Sequence, residues 1–192
     1  MNPVIPVLTT ERLIVRPFEL DDLDAAYRIL DVETQAQPRP RAERAQFLEW
    51  TVRNYRELAR LYQPPYGDRA VVERRSNEVV GSVGLVPAYG PFGLLPGFCD
   101  QIEPEYRNYF WPEFGLFYAI AAAHRRQGYA CEANRALVDY LFRELRPRRI
   151  VAITTRENEA SQRVMTRLGM RLEFNPYPEP EWFQVVGVLE NP

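Results

Sequence analysis

Lysine does not occur in this 192-residue chain; all 24 basic residues are arginine. That absence excludes Schiff-base chemistry and the lysine of a Walker-type phosphate loop. Histidine occurs once, at His124, so a multi-histidine metal site is impossible and any Ser-His-Asp arrangement would hang on one residue. The two cysteines, Cys99 and Cys131, lie far apart and suit neither a zinc knuckle nor a disulfide framework. No apolar run approaches the ~20 residues of a membrane span, and the start Met1-Asn2-Pro3-Val4-Ile5-Pro6 lacks a basic flank. Neither metal nor membrane is expected, and a cytoplasmic location is. A net charge of -2 argues against a nucleic-acid partner held by bulk electrostatics.

What is present is ordinary in bulk: 46% hydrophobic and 26% charged residues, enough for one domain, residues 1–192, with a sizeable core. Alternation over Glu11 to Phe18 predicts a first strand. Asp21-Asp22 opens a helix to about Leu30, followed by a polar loop over Asp31 to Arg41. Leu48, Val52, Tyr55, Ala59 and Tyr62 mark the buried stripe of a second helix, Ala42 to Tyr62. Arg69 to Arg74 and Glu78 to Val86 read as a hairpin, with Gly81 and Gly84 marking a bulge or a close backbone approach. Pro87 to Pro112, with five prolines, three glycines and many aromatics, reads as a long loop folded back on the protein. A strand over Gly115 to Ala122, a helix over Ala130 to Leu145, a strand over Ile150 to Thr154, a helix ending at Leu168 and a last strand pair complete the chain. The order β-α-α-β-β-β-α-β-α-β-β implies an α+β (mixed α/β) fold with helices on both faces of a mixed sheet.

Two helix N-termini follow two strands. The first is preceded by Arg125-Arg126-Gln127-Gly128-Tyr129-Ala130 and the second opens at Asn158-Glu159-Ala160-Ser161. An open helix start offers unpaired amides and the positive end of the macrodipole, so a glycine-containing turn there suits a phosphate-bearing ligand. Gly128 and Ala130 leave room for a phosphate group to approach the backbone, and Arg125 and Arg126 supply charge-assisted donors. Asn158 or Ser161 caps the second helix, and Gly169 sits where a left-handed C-terminal cap belongs.

Four stretches together resemble the GNAT superfamily of acetyl-coenzyme A dependent N-acetyltransferases, and within it the branch that acetylates ribosomal-protein N-termini. They are Thr9-Thr10-Glu11-Arg12-Leu13-Ile14-Val15-Arg16-Pro17, Val80-Gly81-Ser82-Val83-Gly84-Leu85, Arg125 to Ala133, and Asn158-Glu159-Ala160-Ser161 through Leu168-Gly169-Met170. The resemblance implies a mostly antiparallel central sheet and acetyl-CoA as co-substrate. It places the cofactor on Ala119, Ile120, Ala121, Arg125, Arg126, Gln127, Gly128, Tyr129, Ala130, Asn158 and Ser161. It also implies an acceptor that is a primary amine, on a protein N-terminus or a small molecule, attacking directly in a ternary complex.

Such a transfer needs a neutral amine, a donor for the developing oxyanion and stabilisation of the thiolate as it leaves. Ser161 is the candidate for the last, because it lies at the start of the last helix, where a hydroxyl and the dipole favour a sulfur anion; many members place a tyrosine acid seven residues after the Asn, and this chain has Met165 there, which leaves the proton donor open. Glu113 and Glu181, with Glu179 beside the latter, are candidates for the base, each balanced by an ordinary surface role. His124 falls on the cofactor side and reads as a bland neighbour, and Cys131 as packing. The 87–112 segment reads equally as an acceptor-side loop, carrying Asp100, Glu103 and Glu105, or as the interface of a homodimer. The alternative to an enzyme is a CoA-binding or interaction protein of the same fold.

Overall fold

The computed structural model describes residues 4–34 and 38–192. Met1 to Pro3, and residues 35–37 of the expected polar loop, lie outside the described residues. The chain forms two compact units interleaved in sequence, Met1–Val86 with Phe117–Arg146, and Pro87–Leu116 with Pro147–Pro192.

In the first unit the strands β1 (Leu8–Thr9), β2 (Leu13–Pro17), β3 (Gly67–Glu73) and the first half of β4 (Val79–Gly90) pair antiparallel in sequence order. The end of β5 (Trp111–Ile120) lies beside β4, where the Ala121 amide donates to Val80 O at 2.9 Å. A Cβ on Gly81 would fall 2.6 Å from Ala119 O, so this glycine is a close approach between strands, and the expected bulge lies beside it on β4: Val71 faces Gly81 and Val72 faces Val79, which leaves Val80 as the extra residue.

The first helix is broken where a continuous one is expected: a 3-10 turn at Leu20–Asp22, α1 at Leu23–Tyr27, and a π-helical stretch at Arg28–Glu33. α2 (Arg41–Arg60) and α4 (Tyr129–Glu144) complete the unit. Phe18, Ile29, Leu30, Leu48, Val72 and Ala119 share its core. Tyr55 ties three elements together: its hydroxyl accepts from the Phe18 amide at 3.1 Å and donates to the Asp68 carbonyl. Burial pushes this phenol up to about 12, so it stays a donor at any ordinary pH.

In the second unit β5 runs parallel to β6 (Arg149–Thr154), with Phe114 opposite Ile150 and Gly115 opposite Val151. β6 pairs antiparallel with β8 (Val185–Glu190), and β8 with β7 (Arg171–Phe174). A parallel pair needs a crossover, which the α4 segment supplies. α5 (Glu159–Leu168) ends on Gly169 at φ 89°, the expected left-handed cap.

The 87–112 segment differs from a plain loop. β4 continues to Gly90, a 3-10 turn covers Phe92–Leu94, α3 covers Pro96–Cys99, a second 3-10 turn covers Pro104–Tyr106, and β5 starts at Trp111. The prolines permit this because Pro96 and Pro104 sit at first helical positions, where no amide is needed. Phe92, Leu95 and Phe98 sink fully into the unit's core, joined there by Phe183, Val186 and Val188.

Two charged pairs organise the first unit. Arg44 on α2 meets Asp31 through two bonds of 2.6 and 2.9 Å, and the Arg39 amide adds a third at 3.0 Å. Both side chains are nearly sealed from water. On α4, Glu132 accepts from the Thr10 hydroxyl at 2.6 Å, the Arg12 amide at 2.9 Å and Arg12 Nε at 2.7 Å. Burial pushes the Glu132 carboxyl up, but the bonds from Thr10 and Arg12 and the Arg12 charge outweigh it and hold the group below the ordinary glutamate range.

Asp31→Ala leaves Arg44 as an unpaired buried cation and is expected to destabilise the fold by about 3–5 kcal/mol, read from chemical denaturation. A loss under about 1 kcal/mol would mean that water reaches the pair. Glu132→Gln tests the second. A lowered carboxylate pKa contributes stability that is complete above its unfolded value of about 4.3 and disappears as pH falls through the folded value. The deficit of Glu132→Gln relative to wild type is therefore expected to be largest at pH 7 and to shrink on acidification below pH ~4; a pH-independent deficit would exclude the linkage.

Candidate active site

The phosphate-type turn lies wholly in the first unit. After β5 comes a 3-10 turn at Ala122–His124; Arg125 is extended, and Arg126 is left-handed at φ 61°. Gly128 then caps α4 at φ 85° and ψ 0°. Only glycine takes that conformation without strain. A Cβ built on Gly128 would meet no described atom except the Arg12 guanidinium tip at 3.4 Å, so the backbone is open to an incoming group. The first intrahelical bond is Glu132 N to Gly128 O at 3.0 Å, which leaves the amides of Tyr129 and Ala130 ahead of the helical ladder. These amides and the helix dipole favour an anion.

The turn is held from behind. Arg12 Nη1 donates to Gln127 O at 2.9 Å, and the Arg12 guanidinium lies 4.6 Å over the Tyr129 ring. Gln127 Nε2 donates to Ala123 O at 3.2 Å. The Tyr129 hydroxyl donates to Glu73 at 2.6 Å, and that bond, together with one from Ser76, pulls the Glu73 carboxyl below its usual range. Arg125, expected to face phosphate, spends its guanidinium on Ile120 O at 3.0 Å and Glu33 O at 3.2 Å. Arg126 is exposed, and none of the described residues pairs with it. The Ala121 and Ala122 amides are also engaged, on Val80 O and the Glu33 carboxylate. His124 stacks on Tyr129 at 6.3 Å, with its buried Nδ1 lacking a partner among the described residues.

In the second unit, Asn158 rather than Ser161 caps α5: its Oδ1 accepts from the Ser161 amide at 3.1 Å. Gln162 Nε2 closes the turn onto the Arg156 carbonyl at 2.8 Å. Ser161 is half-buried in the first turn. Met165 is fully buried, its sulfur 3.0 Å from where a Gly187 Cβ would stand, so this position belongs to the core. Glu113 is paired with Arg149, which stacks at 4.0 Å over Phe98. Glu179 and Glu181 are exposed in the 175–184 turn. Among the described residues no group of three or more His, Cys, Asp or Glu side chains is placed to hold a metal, and no helix is long and apolar enough to cross a membrane.

Sequence reasoning passed over Arg12, Glu132 and Glu33, the residues that give the turn its shape. The signal was there in part, because Arg12 and Glu132 each fall within a quoted motif, but the two are 120 positions apart and nothing local links them.

Residues 12–171 match the family described as acetyltransferase (GNAT) domain. The N-acetyltransferase YoaA of Bacillus subtilis is 28% identical over 171 residues, covering 88% of this chain and 85% of its own. A GNAT-family acetyltransferase from Bacillus anthracis shares the fold with a TM-score of 0.69 at 19% identity, over 97% of this chain and 99% of that one. The microcin C7 self-immunity acetyltransferase MccE, solved with acetyl-CoA and AMP, matches with a TM-score of 0.65 at 11% identity over 98% of each chain. With an open, glycine-capped helix start at its centre and the family match running through most of its length, the chain belongs to the GNAT acetyltransferase family.

Proposed function

We propose that the protein transfers an acetyl group from acetyl-CoA to a primary amine by direct attack in a ternary complex. The observation that carries this is the Gly128 cap, left-handed and open above its Cα, in front of a sixteen-residue helix. Acetyl-CoA, the ligand bound by MccE, supplies the activated thioester.

In this reading the amides of Tyr129 and Ala130 hold the diphosphate and Arg126 adds the mobile charge. Arg125 contributes by fixing the turn, through its bonds to Ile120 O and Glu33 O. The Ala119 to Ala121 backbone lines the approach of the pantetheine arm, and Gln127 is held in shape by Arg12. Asn158 presents Ser161 by capping α5, and the Ser161 hydroxyl donates a hydrogen bond to the departing thiolate, which leaves as the sulfur anion that the helix dipole also favours. The attacking nitrogen forms the C–N bond as the C–S bond breaks, and loses its surplus proton to a carboxylate. Glu181 is favoured for that role because it is exposed and unencumbered by an arginine among the described residues, whereas Arg149 already engages Glu113.

A non-catalytic CoA-binding protein is the second reading. It is favoured by one observation, the burial of Met165 at the position where many relatives carry a tyrosine acid.

Calorimetric titration of acetyl-CoA into the full chain tests the site. Micromolar binding is expected, with Gly128→Asp weakening it by more than tenfold (over about 1.4 kcal/mol) while circular dichroism stays native. Arg126→Gly relieves a left-handed arginine, so its melting point is expected to hold while affinity drops about threefold to tenfold and loses salt dependence. Absence of binding to the wild type would sink the cofactor site. Ser161→Ala is expected to lower kcat about 10- to 100-fold with an unchanged KM for acetyl-CoA, measured as free thiol released. An unaltered kcat would remove Ser161 from the stabilisation of the leaving thiolate.

A further inference from the structure

One carboxylate of the first unit has no partner. Asp68, near the start of β3, accepts no hydrogen bond and joins no ion pair through its side chain among the described residues. It lines a cavity of about 10 Å³ between β3 and the helices α1 and α2, together with the apolar side chains of Phe18, Ala26, Leu30, Phe47 and Leu48. That is the room of a single water, too little to hydrate an ionised carboxylate. On the sheet side β4 closes in, since a Cβ on Gly84 would stand 3.1 Å from Asp68 Oδ1.

The polar groups around this cavity are committed elsewhere. On α2, Arg44 spends its guanidinium on Asp31 at 2.6 and 2.9 Å and lies 5.2 Å over the Phe47 ring. Arg39 lies 4.4 Å over the same ring. The Thr51 hydroxyl donates to Phe47 O at 2.9 Å, and the Tyr55 hydroxyl donates to the Asp68 carbonyl, not to its carboxylate. Near Phe18, Asp22 is paired with Arg16 at 2.7 and 2.8 Å. Burial pushes the Asp68 carboxyl up to about 6, against the pull of the Arg44 and Arg39 charges. Ionised, it has neither a donor nor a hydration shell, so α2 must stand off from β3 to admit water; neutral, it lets the helix close. The seating of α2 reaches the cofactor turn. Arg44 grips Asp31 in the π-helical stretch Arg28–Glu33, and two residues on, the Glu33 carboxylate accepts from the Ala122 amide while the Glu33 carbonyl accepts from Arg125 at 3.2 Å.

We infer that Asp68 is a pH-responsive latch: with its carboxyl neutral, α2 closes on β3 and the π-helical stretch backs the cofactor turn, and with it ionised the layer loosens and acetyl-CoA is held less tightly. The part that concerns acetyl-CoA rests on the acetyltransferase reading; the part that concerns α2 does not. A carboxyl whose folded pKa lies above its unfolded value of about 3.9 contributes stability that is complete below that value and is lost as pH rises through about 6. The latch is therefore closed on the acid side, opposite in sign to the contribution of Glu132.

The test compares the full wild-type chain with Asp68→Asn, which keeps the shape of the neutral acid, by chemical denaturation and by calorimetric titration of acetyl-CoA at pH ~4.5 and ~7.5. From the lower pH to the higher, the folding equilibrium constant of the wild type is expected to fall about tenfold or more relative to that of the variant, and its acetyl-CoA affinity about threefold relative to that of the variant. Asp139→Asn, exposed on α4, is expected to track the wild type. A second measurement needs no variant: the Asp68 carboxyl carbon, followed by NMR in the wild type, is expected to titrate near pH 6. A stability ratio that does not change with pH, or an Asp68 carboxyl that titrates near the ordinary value of about 3.9, would overturn the latch. A falling stability ratio with an unchanged affinity ratio overturns its link to the cofactor turn. A falling stability ratio in a wild type that binds no acetyl-CoA at either pH supports the latch while overturning the acetyltransferase reading.

Discussion

Everything proposed for the cofactor depends on the grip of Glu132 and Arg12. Glu132 gathers the Thr10 hydroxyl, the Arg12 amide and the Arg12 guanidinium, and the same guanidinium reaches on to Gln127 O and lies over Tyr129. One carboxylate thereby joins the turn before β2 to the first turn of α4, and one arginine fixes the residues on either side of Gly128. A helix start made of unpaired amides is a good anion site only if its shape is held before the anion arrives. Here side chains of opposite charge hold it from behind, leaving the amides in front unused.

The same economy explains why two adjacent arginines have separate fates. Arg125 turns back to satisfy the carbonyls of Ile120 and Glu33, which would otherwise end the strand and the π-helical stretch without donors. Arg126 is forced into the left-handed region by the tight turn that brings Gly128 into place, and its side chain remains in solvent. A chain without lysine uses arginine for both tasks, because the planar guanidinium bridges two backbone oxygens as readily as it meets a phosphate.

The second unit solves another problem, the burial of a proline-rich, aromatic connection. Phe92, Leu95 and Phe98 turn inward and Tyr89, Phe110 and Trp182 stay outward, with Gly90 giving Trp182 and Phe183 room against β4. The 87–112 segment reads as a loop in sequence because its helical pieces, Phe92–Leu94, Pro96–Cys99 and Pro104–Tyr106, are too short to show a period. Burial of their apolar side chains holds these pieces in place, and that is a tertiary effect.

The sequence by itself determined the order of the longer strands and helices, though not β1 or α3, together with the glycine turn at the start of α4, the left-handed cap at Gly169, the capping role available at Asn158, and the close approach at Gly81. Those are local matters, written in the steric freedom of glycine, the short reach of an asparagine and the period of apolar residues. Tertiary structure alone decided that Arg125 faces carbonyls, that Met165 is core, that Glu113 is already paired, and that Trp182 completes a row of rings with Tyr89 and Phe110. In each case the decision was made by a partner that folding brings close: Glu33 for Arg125, Gly187 for Met165, Arg149 for Glu113, and Phe183 and Gly90 for Trp182. Most of these partners lie tens of residues away, and even Phe183, the chain neighbour of Trp182, anchors it only once sunk in the core. No local preference encodes which of many carboxylates, carbonyls or rings a long side chain will meet. Only the packed core, by fixing the backbone first, makes one choice cheaper than the rest.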